Sequence, residues 1–339
     1  MKIAYSLAEE DHSAAGIATL IKQVDQRVGK FKDRFNADSE YIRIAYKAAS
    51  TVGLKDDPMK LWTIDDILNN KEQLEEIIEG WLHSTGFMIV TGQPGVGKTQ
   101  FAMDLMHTLA TGQKTFLGRE VKYPKDLESM KGMFLSLEMQ PVDLSYLYQD
   151  KHQLGDPRYK KYKDTLLQDN ILIYSPLEGY DGENVEILVQ RHKPNFIVID
   201  SLSELFSEDM KEAESRKVIR HLLMLKRMYN LALIVVHHNR KATDSNKKPN
   251  KLSDLYGSFI FAKTVDTVLG LWHNEKNNTY ELLGIKTRFG KNNQINIRRT
   301  EYLTYEVAPE EGETKGANNG TSGAKPSPKS PNPNILDFN

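Results

Sequence analysis

The sequence predicts an α/β fold with a mainly parallel central sheet, preceded by a small helical N-terminal segment. Three observations carry this. Continuous apolar runs such as Phe196-Ile197-Val198-Ile199 and Leu233-Ile234-Val235-Val236 suit strands buried on both faces of a parallel sheet. Strand patterns at 87–91, 133–138, 171–175, 196–200, 232–238, 266–272 and 280–288 alternate with helical patterns at 98–110, 183–192 and 212–229. Between the first strand and the first of these helices stands Gly92-Gln93-Pro94-Gly95-Val96-Gly97-Lys98-Thr99, a glycine-rich phosphate-binding loop in strand–loop–helix context.

Residues 1–62 read as helical. From Ile17, apolar residues recur at Leu20, Ile21, Val24, Val28, Phe31 and Phe35, while Lys22, Arg27, Lys30, Lys32 and Arg34 take the opposite face. That basic face is a solvated surface or a nucleic-acid contact, and the apolar stripe packs on this chain's own core or on another copy. Tyr41, Ile44, Ala45 and Ala48 mark a second helix. Thr63-Ile64-Asp65-Asp66 resembles a capped helix start, and Leu74, Ile77, Ile78, Trp81 and Leu82 predict a further helical stripe before the first strand. Residues 63–309 then form the three-layer α/β domain. The tail, 310–339, is rich in Gly, Asn, Ser and Pro and cannot bury enough apolar surface to order itself. It ends in an apolar–acidic tip, Ile335-Leu336-Asp337-Phe338-Asn339, either a plain end or a peptide that docks on a partner.

Bulk composition narrows the function class. The chain has 339 residues, 39% hydrophobic and 27% charged, with a formal net charge of -1. This suits a soluble globular protein and argues against a globally basic nucleic-acid coat. No apolar run approaches the roughly 20 residues needed to span a bilayer, and Met1-Lys2-Ile3-Ala4-Tyr5 begins no secretory signal. There are no cysteines, which excludes disulfides and thiolate metal sites and fits a cytoplasmic location.

The phosphate loop assigns nucleoside triphosphate binding to Gly92, Pro94, Gly95, Val96, Gly97, Lys98, Thr99 and Gln100. Backbone N–H groups and the positive helix end face the phosphates. Lys98 reaches the β- and γ-phosphates and the Thr99 hydroxyl ligates Mg²⁺. Asp200 ends a buried apolar strand, where a carboxylate holds the same Mg²⁺; a turn-forming acid is the plainer alternative. Glu138 closes the 133–138 strand. If that strand lies beside the loop strand, its carboxylate faces the γ-phosphate and can take a proton from the attacking water. His237-His238-Asn239-Arg240 ends another buried strand, where His238 can sense the γ-phosphate. The two histidines do not read as a metal pair, since neighbours on a strand point apart. In the following loop Arg240, Lys241, Lys247, Lys248 and Lys251 form a candidate grip on a phosphate backbone, with a solvated loop as the alternative. Lys286 and Arg288 share one strand face, as a cationic pair for a neighbour's nucleotide or as surface ion-pair partners.

Together these motifs resemble the RecA-fold P-loop ATPases of the DnaB-type hexameric helicase group, and most closely the plasmid and phage RepA-like helicases. The matching residues are Gly92–Thr99, Leu109-Ala110-Thr111-Gly112, Phe116-Leu117-Gly118-Arg119, Ser136-Leu137-Glu138-Met139, Ile199-Asp200, the His237-His238 strand end, Asp254-Leu255-Tyr256-Gly257-Ser258 and Lys286-x-Arg288. The resemblance covers roughly residues 65 to 305. It implies a ring, usually of six subunits, with ATP and Mg²⁺ between neighbours. It implies Glu138 as the base, Lys286 and Arg288 reaching the neighbour's γ-phosphate, and loops near 202–216 and 240–256 around single-stranded DNA. Two features depart from the pattern. His237-His238-Asn239-Arg240 replaces the DnaB-type Gln-Leu-Asn-Arg, and the first channel loop is acidic, with Glu204, Glu208, Asp209, Glu212 and Glu214. The function implied is an ATP-driven DNA helicase of replication. The alternatives are a filament-forming recombinase or recombination mediator, and an ATP-switched assembly protein acting through its tail.

Overall fold

In the computed structural model, the described residues are 2–9, 12, 14–29, 37–52, 63–68, 75–148, 155–160, 169–177, 179–202, 212–239, 248, 251–255, 264–274, 279–288, 290 and 294–309. Contacts group Met1–Val307 as one compact unit and Ala308–Asn339 as another. The tail expectation for 310–339 falls outside the described residues.

Helices α1 (Lys2–Glu9), α2 (Ala14–Val28) and α3 (Ala37–Val52) form the N-terminal layer. Small residues let them approach closely: Ala4, Ala8, Ala18, Ala45 and Ala48 are buried with Ile17 and Ile44. The Tyr41 hydroxyl donates to buried Asp25 at 2.8 Å and ties α3 to α2. A short helix, α4 (Ile64–Leu68), begins at the expected Thr63 start.

The expected helical stripe through Ile77, Ile78, Trp81 and Leu82 is not a helix. β1 (Glu76–Ile78) and β2 (Leu82–His83) make an antiparallel hairpin. Adjacent β-branched isoleucines favour the extended form. The Glu76 carboxylate accepts the Gly80 N–H at 2.9 Å and closes the turn. Leu74 lies outside the described residues.

The main sheet has nine strands. They are β3 (Phe87–Gly92), β6 (Gly132–Ser136), β7 (Ile171–Tyr174), β8 (Phe196–Asp200), β9 (Ala232–His238), β10 (Thr267–Asn274), β11 (Thr279–Thr287), β12 (Gln294–Arg299) and β13 (Tyr305–Val307). A two-stranded hairpin, β4 (Thr115–Phe116) and β5 (Arg119–Glu120), stands apart. The sheet order is β13-β12-β11-β10-β3-β9-β8-β6-β7. From β10 to β7 all neighbours are parallel, and β11 to β13 add an antiparallel end.

Both faces are covered. α5 (Lys98–Ala110) and α6 (Pro141–Leu147) pack through Phe101, Leu105, Leu109 and Leu144 on the face that carries Met88 and Val90. One further turn of helix, α7 (Pro157–Lys160), lies against α5. α8 (Gly182–His192) and α9 (Glu212–Met228) pack through Val185, Val189, Ile219, Leu222 and Leu225 on the face of Phe87 and Ile89. This two-sided burial is why the strands read as unbroken apolar runs rather than alternating ones.

Two details of the sequence reading change. The strand expected over 133–138 ends at Ser136, so Leu137 and Glu138 lie beyond it. Nor does that strand lie beside the loop strand, because β9 and β8 stand between them. The strands β12 and β13 were not anticipated. Both are short, and most of their residues are partly or fully exposed, so they lack the apolar signal.

Candidate active site

In parallel α/β sheets ligands collect at the carboxyl ends of the strands. Here β3, β9, β8 and β6 all end at one edge, and their ends carry the predicted residues. Gly92 ends β3 in register with His238 of β9, and Asp200 ends β8 in register with Ser136 of β6. The loop after Gly92 leads straight into α5. Its last glycine, Gly97, is the helix N-cap with φ +97°, in the left-handed region, where an L side chain is strained. The Tyr305 hydroxyl of β13 donates to the Gly97 carbonyl at 3.1 Å, so the far end of the sheet braces the loop. The first N–H groups of α5 have no intrahelical acceptor and form the anion cradle expected of Gly95 to Gln100.

Lys98 is buried, and its Nζ donates to the Gln93 carbonyl at 2.9 Å across the loop. Burial pushes its pKa down to about 8, while Asp200 and Glu138 pull it upward. An ammonium held in so dry a place is under-solvated and ready for phosphate oxygens.

Asp200 is almost fully buried, and neither carboxylate oxygen closes a hydrogen bond. Burial lifts its pKa to about 6, with the Glu138 charge adding to the rise and the Thr99 hydroxyl and Lys98 opposing it. A buried carboxylate without a protein donor, beside a hydroxyl, fits a hard cation such as Mg²⁺. Thr99 and Asp200 are the residues that would hold it. Among the described residues no group of three or more His, Cys, Asp or Glu could hold a metal ion. A nucleotide-linked Mg²⁺ needs no such cluster, because phosphate and water supply most of its ligands.

Glu138 follows β6, and its N–H and that of Leu137 both reach the Asp200 carbonyl, at 3.4 and 2.7 Å. Its Oε1 accepts the Ser201 hydroxyl and lies 3.4 Å from His238 Nε2. The His238 contact lowers the Glu138 pKa most; burial works against it, and Ser201 and Lys98 help. Ser201, fully buried next to Asp200, is a site residue that sequence reading missed. Its only sequence signal is its place one residue after the strand-end acid. Asn239 was also passed over: its Oδ1 accepts the Thr91 hydroxyl and its N–H reaches the Gly92 carbonyl at 3.3 Å. His237, by contrast, points into the protein and is fully buried.

The structure thus brings Lys98, Thr99, Glu138, Asp200 and His238 to one edge. Lys286 and Arg288 are elsewhere. Thr267 of β10 pairs with Met88 at the start of β3 and with Thr287 of β11. The cationic pair is therefore at the opposite edge of the sheet, roughly 16 Å along the strands from Gly92 at ~3.3 Å per residue. There Lys286 Nζ donates to the Val265 carbonyl at 2.7 Å and Arg288 Nη1 to Asp266 Oδ1 at 2.9 Å.

Of the basic-loop residues, Arg240, Lys241 and Lys247 lie outside the described residues. Lys248 pairs with Glu281 and sits over the Trp272 ring, 5.1 Å from its centroid. Lys251 is exposed. Most of the acidic loop, 203–211, also lies outside the described residues. Among those described, no helix is long and apolar enough to cross a membrane.

Comparison with known proteins agrees with this geometry. The family model described as "AAA domain" matches residues 49–244, more than half of the chain, including the phosphate loop, Glu138, Asp200 and His238. The DNA repair protein RadA of Listeria monocytogenes is 24% identical over 279 residues, which cover 78% of this chain and 52% of that protein. RadA of Streptococcus pneumoniae is 24% identical over 271 residues, covering 76% and 54%, and RadA of Bacillus subtilis 22% identical over 252 residues, covering 71% and 46%. The chain spans about half the length of the curated relatives it matches. A solved helicase ATPase domain superposes with a TM-score of 0.50 at 16% identity, over 67% of this chain and 86% of that one, a likeness of fold. The chain belongs to the AAA-domain family, and its core has the RecA-type P-loop ATPase fold.

Proposed function

We propose that this protein is an ATP-hydrolysing DNA motor, a ring of identical copies that moves along single-stranded DNA and separates a duplex in replication. One observation carries the reading. The nucleotide-holding groups occupy one edge of the sheet, and the Lys286–Arg288 pair occupies the other. Within one copy that pair cannot reach the phosphates. A head-to-tail assembly, in which each copy offers its far edge to the next copy's loop, completes the site.

In this reading Lys98 and the α5 N–H groups hold the β- and γ-phosphates. The free Glu138 oxygen accepts a proton from the attacking water, and His238 stands between Glu138 and Gly92 to register the γ-phosphate. Mg²⁺, held through Thr99 and Asp200, supplies charge neutralisation on the phosphates. Arg288 and Lys286 of the adjoining copy neutralise charge that develops on the transferred phosphoryl group. DNA is held without sequence preference by backbone contacts from the 240–256 loop.

The likeness to DNA repair protein RadA favours a second reading, a recombination ATPase that forms filaments on DNA. A switch-type ATPase acting through its tail is a third. The deciding experiment is steady-state ATP turnover with and without single-stranded DNA, with Glu138→Gln as control. Strong stimulation supports a DNA motor, and imaging on DNA then separates closed rings from continuous helices. Turnover indifferent to DNA overturns both DNA readings and leaves the switch.

A further inference from the structure

Asp266 stands just before β10, buried, at the sheet edge remote from the phosphate loop. Its backbone N–H donates to the Phe87 carbonyl at 2.8 Å, and its own carbonyl accepts the Arg288 N–H at 2.9 Å. Its carboxylate is divided among three donors. Oδ1 accepts Arg288 Nη1 at 2.9 Å, and Oδ2 accepts the Phe87 N–H at 3.0 Å and Lys226 Nζ at 3.2 Å. Arg288 is thus held twice, by main chain and by side chain, yet its side chain keeps 49% of its surface exposed. Lys226 is nearly buried at 14%.

An arginine on a rim strand has many rotamers, and a finger that samples them all seldom meets a phosphate in the right place. The Asp266 contacts select one. Sharing the carboxylate with Lys226 also leaves positive charge in excess at this rim, since Lys226, Lys286 and Arg288 stand against the one carboxylate of Asp266. That excess suits a polyphosphate. Phe87 opens β3, whose other end is Gly92, so the group that holds Arg288 is bonded to the strand that carries this copy's own phosphate loop.

We infer that Asp266 is the positioning residue for Arg288, fixing the guanidinium for the nucleotide of the adjoining copy while anchoring it to β3. The inference rests on the reading of Arg288 as a finger that acts on another copy.

The test is Asp266→Asn, which keeps an acceptor for the Phe87 N–H and removes the charge. Saturated ATP turnover and nucleotide affinity are measured separately. The expected result is a loss of kcat on the order of 10- to 100-fold, with affinity within about twofold of the parent because the loop is at the other edge. In an Arg288→Ala background, Asp266→Asn is expected to add no further loss. Mixing Asp266→Asn chains with Lys98→Ala chains should restore turnover, because the second chain lends an intact Asp266–Arg288 pair to the first chain's intact loop. A purely structural role would not be rescued in this way. Should the Asn chain fail to fold, Asp266→Glu keeps the charge, displaces the carboxylate by one methylene, and is expected to show the same kcat loss with affinity kept. Unchanged kcat in these variants while Arg288→Ala is inactive overturns this inference alone, as does failure of mixing to rescue. Normal turnover in Arg288→Ala overturns the finger reading and this inference with it.

Discussion

The Ser201 hydroxyl donates to Oε1 of Glu138, the same oxygen that faces His238 Nε2. One oxygen of the carboxylate is thereby committed to the protein, and Oε2 is the atom left to meet a water. Ser201→Ala is expected to lower kcat about tenfold through loss of orientation, with nucleotide affinity unchanged. Glu138→Gln should bind ATP and fail to hydrolyse it. Single-turnover hydrolysis set beside nucleotide titration checks both; a Ser201→Ala enzyme at full rate removes the orienting role.

Lys98 shows the cost of a dry cation. With its pKa pushed down to about 8, it gains more from a phosphate than an exposed lysine would. Lys98→Ala is expected to weaken ATP binding by at least 100-fold, about 2.7 kcal/mol. Isothermal titration with a slowly hydrolysed ATP analogue measures this, and retained affinity would show that the backbone cradle suffices.

Gly97 tests the loop geometry. Its φ is +97°, and a Cβ built on it would stand 2.3 Å from the Tyr305 hydroxyl oxygen. Gly97→Ala is expected to cost about 1–2 kcal/mol from the left-handed backbone alone, and to abolish nucleotide binding. Pairing it with Tyr305→Ala removes the clash and leaves the backbone strain, so binding should stay lost. Recovery in the double variant would assign the whole effect to the clash.

His107 gives a pH signature. It is fully buried on α5, its Nε2 lies 3.2 Å from the Tyr148 hydroxyl, and burial drives its pKa down to about 3. Below its unfolded value near 6.5, the unfolded chain takes up a proton that the folded chain refuses. This group's contribution is therefore intact above pH 6.5 and is lost as pH falls below it, by about 1.4 kcal/mol per pH unit. His107→Gln lacks this term. The stability gap between parent and variant should narrow at that rate between pH 6.5 and 5 in urea titrations, and a constant gap would contradict the burial argument.

The sequence alone determined the chemistry of the phosphate loop, because a Gly-rich loop between an apolar strand and a helix needs only local backbone rules. It likewise determined which strands are buried on both faces, since unbroken apolar runs leave no polar side to expose. It misread the hairpin at Ile77 and Ile78, where a short apolar segment fits helix or strand and the Glu76–Gly80 contact decides. It placed Glu138 on the right loop but on the wrong neighbour, because strand order is a property of the assembled sheet. Only the tertiary structure put Ser201 and His238 on one oxygen of Glu138, joined Tyr305 to Gly97, and set Arg288 on Asp266 at the edge away from Lys98. These pairings link residues far apart in the chain. They are settled by which strands lie side by side and in what register, and no local propensity encodes that.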